Sequence, residues 1–90
     1  MEKRAVVSVV GKDQVGIIAK VTTIISDNDV NILDISQTIL EGFFTMIMLI
    51  EIKDPSSLET LQKKFQPLEQ ELGLKINIQL EDVFQAMHRV

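Results

Sequence analysis

The chain has 90 residues, 46% hydrophobic and 24% charged, the balance of one small globular domain with no room for separate catalytic and substrate domains. It has no Cys, Trp or Tyr and a single His, His88, which excludes disulfides, thiolate nucleophiles, Cys/His zinc sites and any Ser-His-Asp triad independent of the C-terminal tail. Nine Lys+Arg against thirteen Asp+Glu leave a net charge of −4 with no basic run, so no nucleic-acid partner is expected.

Arg4 to Val10 is rich in β-branched residues and stops at Gly11, the pattern of a strand ended by a turn. From Val15 to Asn28 the period becomes helical. Ile17, Ile18, Val21, Ile24 and Ile25 form an apolar arc opposite Lys20, Thr23 and Asp27, with Asp13 placed as an N-cap and Asn28-Asp29 as a stop. Asn31 to Leu40 reads as a second strand, with Leu33, Ile35 and Ile39 on one face and Asp34, Ser36 and Thr38 on the other.

Glu41-Gly42 is a two-residue hairpin signal. Phe43 to Ile52 is apolar on both faces, as expected of an interior strand covered on both sides. Asp54-Pro55 opens a second helix whose stripe is Leu58, Leu61, Phe65, Leu68 and Leu72, with Gly73 as its C′ residue. Pro67 is expected to kink or divide that helix. Leu74 to Leu80 alternates cleanly as a half-exposed strand, and Val83, Phe84, Met87 and Val90 give the tail helical spacing.

The order β-α-β-β-α-β predicts an α+β protein, a ferredoxin-like βαββαβ sandwich. Two helices would cover one face of an antiparallel four-stranded sheet, with residues 1–81 as the domain and 82–90 as a short C-terminal helical tail. The first and third strands, the most apolar, belong at its centre. The opposite face is then left bare, an apolar patch to be covered by Val83, Phe84 and Met87 of the tail and by a second subunit, hence a homodimer or higher oligomer. No apolar stretch approaches the ~20 residues that span a bilayer. Without an export-type segment after Met1, a cytoplasmic protein is expected.

The ferredoxin-like fold hosts unrelated functions, so the loop from Gly11 to Gly16 has to discriminate. A P-loop needs Lys and Ser/Thr after its last Gly, where this chain has Ile17 and Ile18. A metal-binding loop needs two Cys, an acylphosphatase-like site needs an Arg, and an RNA-binding sheet needs exposed aromatics; none is present where required. What remains is a Gly-flanked loop that allows close approach, helix-start N–H groups suited to a carboxylate, and Asp13 suited to an ammonium group. Together these suit an amino acid.

The run Val9-Val10-Gly11-Lys12-Asp13-Gln14-Val15-Gly16-Ile17, the amphipathic helix and then Asp29-Val30-Asn31-Ile32 resemble the ACT domain over essentially the whole chain. The segments Asp34 to Ile39 and Phe84 to Arg89 resemble a free-standing prokaryotic ACT family, with a more distant similarity to the regulator of glycine cleavage. The resemblance implies a non-enzymatic regulatory module that binds a small-molecule effector, an amino acid or similar metabolite, at a dimer interface, and acts on a regulated protein partner without a cofactor. It places ligand contacts at Gly11, Lys12, Asp13, Gln14, Val15 and Gly16 of the loop, and at Asn31 and Ile32 where the second strand begins. The alternative is a ligand-free dimerisation or adaptor module.

Simpler roles stand beside these. Asp13 serves equally as an N-cap, Asn31 as a turn residue and Gly16 as a packing position. Gln37, the odd polar residue among Leu33, Ile35 and Ile39, could mark a dimer seam.

Overall fold

The structure, a computed structural model, describes residues 3–54 and 56–83. The elements are β1 (Lys3–Lys12), α1 (Ile17–Asp27), β2 (Asn31–Leu40), β3 (Phe43–Ile52), α2 (Ser56–Leu72) and β4 (Lys75–Leu80). The strands form one antiparallel sheet in the order β2-β3-β1-β4, the ferredoxin-like arrangement, with β1 and β3 central. Glu81 to Val83 are helical, and Phe84, Met87, His88 and Val90 lie outside the described residues.

Alternation along the central strands sends Ala5, Val7 and Val9 of β1 and Phe44, Met46, Met48, Ile50 and Ile52 of β3 to one face, where they are buried. Ile17, Val21 and Ile25 of α1 and Leu61, Phe65 and Leu68 of α2 complete that core, so both helices cover the same face. On the other face Val10, Ile47 and Phe43 are exposed, so among the described residues the third strand is covered on its helix side alone. Val6 is the exception: it shares a face with Ser8 and Val10 yet is only 8% exposed.

The turns follow local chemistry. Glu41 (φ 51) and Gly42 (φ 83) both take positive φ, as a two-residue hairpin matched to strand twist requires. α1 ends with Asp29 in the left-handed conformation (φ 57), the Val30 N–H returning to the Ile25 carbonyl at 3.3 Å. α2 ends the same way through Gly73, with the Leu74 N–H on the Glu69 carbonyl at 3.0 Å. At its start, the Asp54 carboxylate accepts the Ser56 N–H at 3.0 Å.

Several expectations need correction. β1 runs on through Gly11 to Lys12, so the turn lies after Gly11. α1 begins at Ile17, two residues later than periodicity suggests, because the N-cap is Gly16 and Asp13 does not cap. Pro67 does not divide α2, which runs unbroken from Ser56 to Leu72; the ring removes the donor for the Lys63 carbonyl, and Lys63 lies at the exposed surface, where water can serve. In β2 an irregularity between Ile32 and Asp34 sets Leu33 out of register. Ile32, not Leu33, therefore joins Ile35, Gln37 and Ile39 on the helix-covered side, opposite Ile50, Met48, Met46 and Phe44.

Candidate functional site

The loop between β1 and α1 is held from two directions. The Asp13 N–H donates to the Gly42 carbonyl at 2.8 Å, which fastens the loop to the β2–β3 hairpin. The Gln14 side-chain amide donates to the Lys12 carbonyl at 3.1 Å and to the Leu72 carbonyl at 2.7 Å, which fastens it to the end of α2. The second bond also satisfies one of the carbonyls a helix C-terminus leaves without a partner.

Gly16 turns the chain into α1 at φ 92, a conformation open to glycine at little cost, and has no side chain with which to cap the helix. The first intrahelical bond runs from the Lys20 N–H to the Gly16 carbonyl at 3.0 Å. The N–H groups of Ile17, Ile18 and Ala19 therefore precede the helix ladder with no capping side chain. Together with the helix dipole they favour an anionic group.

These groups border a cavity of about 300 Å³ lined by Asp13, Gln14, Gly16, Ile17, Ile18, Ala19, Gln37, Ile39 and Phe44. Its walls are mostly apolar, and the polar residues that line it are Asp13, Gln14 and Gln37. A site of that composition suits a zwitterion carrying an apolar group. A larger hollow of about 380 Å³ lies on the outer side of the helices between Lys20, Ile24, Lys64, Pro67 and Glu71, away from the loop.

Of the residues expected from sequence, Asp13, Gln14 and Gly16 line the cavity. Gly11 does not: a Cβ there would lie 2.5 Å from Leu74 Cδ2 and 3.3 Å from the Gly73 carbonyl, so its bare backbone makes room for the turn before β4. Lys12 pairs with Phe43 at the end of the sheet, and Val15 is 99% exposed; neither borders the cavity. Asn31 and Ile32 sit opposite Glu51 and Ile50, at the far end of β2 from the hairpin that holds the loop. Within one subunit they are remote from Asp13, because β2 starts where β1 starts and ends where β1 ends.

Sequence reading missed Ile17, Ile18, Ala19, Ile39 and Phe44 as cavity residues, since apolar side chains there read only as core. Gln37 carried a visible signal, an amide in an apolar row, and the structure places it on the cavity wall.

Comparison with known proteins agrees with this architecture. A family model described as the ACT domain matches residues 3–79. A UPF0237 protein of Methanocaldococcus jannaschii is 44% identical over 88 residues, 97% of this chain and 98% of its own. A UPF0237 protein of Clostridium perfringens is 52% identical over 90 residues, 96% of this chain and 98% of its own. Among solved structures, an ACT domain protein from Streptococcus pneumoniae superposes with a TM-score of 0.79 at 40% identity, covering 96% of this chain and 98% of its own. A putative glycine cleavage system transcriptional repressor superposes with the same TM-score, 0.79, at 25% identity, over 89% of this chain and 46% of its own.

Proposed function

The chain belongs to the ACT domain family, and from that premise we propose that it is a non-enzymatic regulatory module that binds an amino acid or similar small metabolite at a homodimer interface. The observation that carries the reading is the uncapped start of α1, opening on a mostly apolar cavity with a carboxylate at its rim. The ligand carboxylate lies on the N–H groups of Ile17, Ile18 and Ala19, its ammonium group faces Asp13, and its side chain rests against Ile18, Ile39 and Phe44. Gly16 lets the chain enter the helix without a side chain over that site.

Asn31 enters through symmetry. An antiparallel pairing of two copies along β2 carries the partner subunit's Asn31 toward the hairpin tip that holds Asp13. One site then draws on both subunits, and ligand binding is coupled to how they pack. Regulation follows if the ligand binds one packing more tightly than another, changing the surface offered to a protein partner. The location consistent with this role is the cytoplasm, and no helix among the described residues is long and apolar enough to cross a membrane.

A thermal-shift screen of the twenty amino acids tests the reading. A true ligand at a hundred times its Kd stabilises the protein by about 2.7 kcal/mol. Asp13→Asn weakens that ligand by roughly tenfold or more, the scale of one charge-assisted hydrogen bond. A dimer indifferent to all twenty overturns the reading in favour of a ligand-free dimerisation or adaptor module.

A further inference from the structure

The helix-free face of the sheet is exposed at one end and covered at the other. Toward the β2–β3 hairpin Val10 and Ile47 are each 44% exposed and Phe43 63%. Toward the opposite end Leu49 is half-buried, and Val6, paired with it, is only 8% exposed. Val6 and Val10 are the same residue type on the same face of the same central strand, so neither type nor strand accounts for the difference. Cover that reaches Val6 within a single chain comes from that chain. β4 ends at Leu80, beside Ala5, and Arg4 pairs with Glu81. The chain therefore leaves the sheet at its covered end, next to Val6, and turns helical over Glu81 to Val83.

Seven residues follow, 84–90, outside the described ones. Continued at helical spacing, Val83, Phe84, Met87 and Val90 fall on one side, and Gln85, His88 and Arg89 on the other. A helix of about ten residues is too short to persist alone in water, so that stripe needs an apolar surface to lie on.

We propose that residues 84–90 continue the helical turn begun at Glu81 and lie across the open face from β4 toward β3, with Phe84 over Val6 and Met87 over Leu49. The dimensions agree. From β4 over β1 to β3 is two strand spacings, about 10 Å, and seven helical residues rise about 10 Å. Val10 lies four residues beyond Val6 along β1, about 14 Å, outside the half-width of about 5–6 Å that a helix covers. The tail thus accounts for a buried Val6 and an exposed Val10 together. A second copy seated on this face would rest on the exposed Val10, Ile47 and Phe43 instead, and would not bury Val6 in one chain. The folded unit then extends through the tail rather than ending at residue 81. The proposal does not depend on a ligand, since the loop cavity opens beside Gln37, Ile39 and Phe44 on the helix-covered side.

The chain has no cysteine, so a single introduced thiol reports exposure at one position. In the full chain Val6→Cys reacts with a maleimide at least about tenfold more slowly than Ile47→Cys, because it waits for local opening. Phe84→Ser combined with Met87→Ser keeps the chain length and removes the apolar contacts. It raises the Val6→Cys rate about tenfold and leaves that of Ile47→Cys within about twofold, with unchanged circular dichroism. Unchanged protection of Val6→Cys in that background overturns the proposal, since Val83 and the Arg4–Glu81 pair would then be the whole cover. A second measurement needs no substitution. Nuclear Overhauser contacts run from the Phe84 ring to the methyl groups of Val6 and Leu49 in the native protein. Their absence overturns the proposal, as does their appearance only between differently labelled chains, which would place the tail on the sheet of a second copy.

Discussion

The amide nitrogen of Gln14 donates to the carbonyl oxygen of Leu72 across 2.7 Å, joining the loop after β1 to the last residue of α2. Because the same nitrogen also reaches the Lys12 carbonyl, Gln14 fixes the loop without contributing to the core. Gln14→Ala removes both bonds at an exposed position and is expected to cost about 1 kcal/mol in denaturant unfolding. Gln14→Glu, which keeps the shape and loses the donor, should cost at least as much. If the proposed ligand binds, its thermal shift should shrink in both variants, because the loop keeps its tie to the Gly42 carbonyl but loses its tie to α2.

Gly11 faces Leu74 so closely that even one added carbon has no room. Gly11→Ala is expected to destabilise the fold by about 1–3 kcal/mol, the usual cost of overpacking. Pairing it with Leu74→Val should recover part of that loss, since the clash is with the end of the Leu74 side chain. A double-mutant cycle by urea denaturation measures the coupling.

Asp29 holds a left-handed conformation at the end of α1, where glycine carries no Cβ penalty. Asp29→Gly should therefore stabilise the protein by up to about 1 kcal/mol, visible as a rise in the denaturation midpoint at unchanged slope. Asp29→Val should destabilise it, as a branched side chain tolerates that conformation poorly.

The Ser56 backbone N–H, and after it the Ser56 hydroxyl, hold the Asp54 carboxyl below its ordinary value. A carboxylate with a depressed folded-state pKa adds stability above its unfolded pKa and loses it as pH falls through the folded value. The contribution at this exposed cap is thus present at neutral pH and fades in acid. Asp54→Asn, which keeps a capping acceptor without the titration, should flatten that part of the acid limb in pH-dependent unfolding. An NMR titration of the Asp54 carboxyl should show a midpoint below that of a model aspartate.

Much of the fold was legible in the chain. The β-branched run at Ala5 to Val9, the helical arc of Ile17, Val21 and Ile25, the Glu41-Gly42 turn and the alternation of Ile76 and Ile78 each declare one element and the face it buries. The site was legible only in its loop. Asp13 and Gly16 stand out because their chemistry is unusual where they lie, whereas Ala19, Ile39 and Phe44 look like any other core residue until the cavity is seen. The resemblance puts Asn31 at the ligand, but within one subunit strand direction sets it far from the loop, since β2 runs parallel to β1. The irregularity at Leu33 had no sequence mark, and it moved one residue out of an apolar row and put Ile32 in its place.

The pairing of β1 with β4 sets Ala5 beside Leu80, and Arg4 forms an ion pair with Glu81. The first and last strands of the sheet thus begin and finish as neighbours, although they are farthest apart in the chain. A short peptide can bridge them, and the sheet can then be opened at the exposed Lys53–Asp54 connection with every strand pairing retained. The same adjacency lets the unit be spliced into a host protein, which would need to spare only two points of its own backbone, side by side, to carry it.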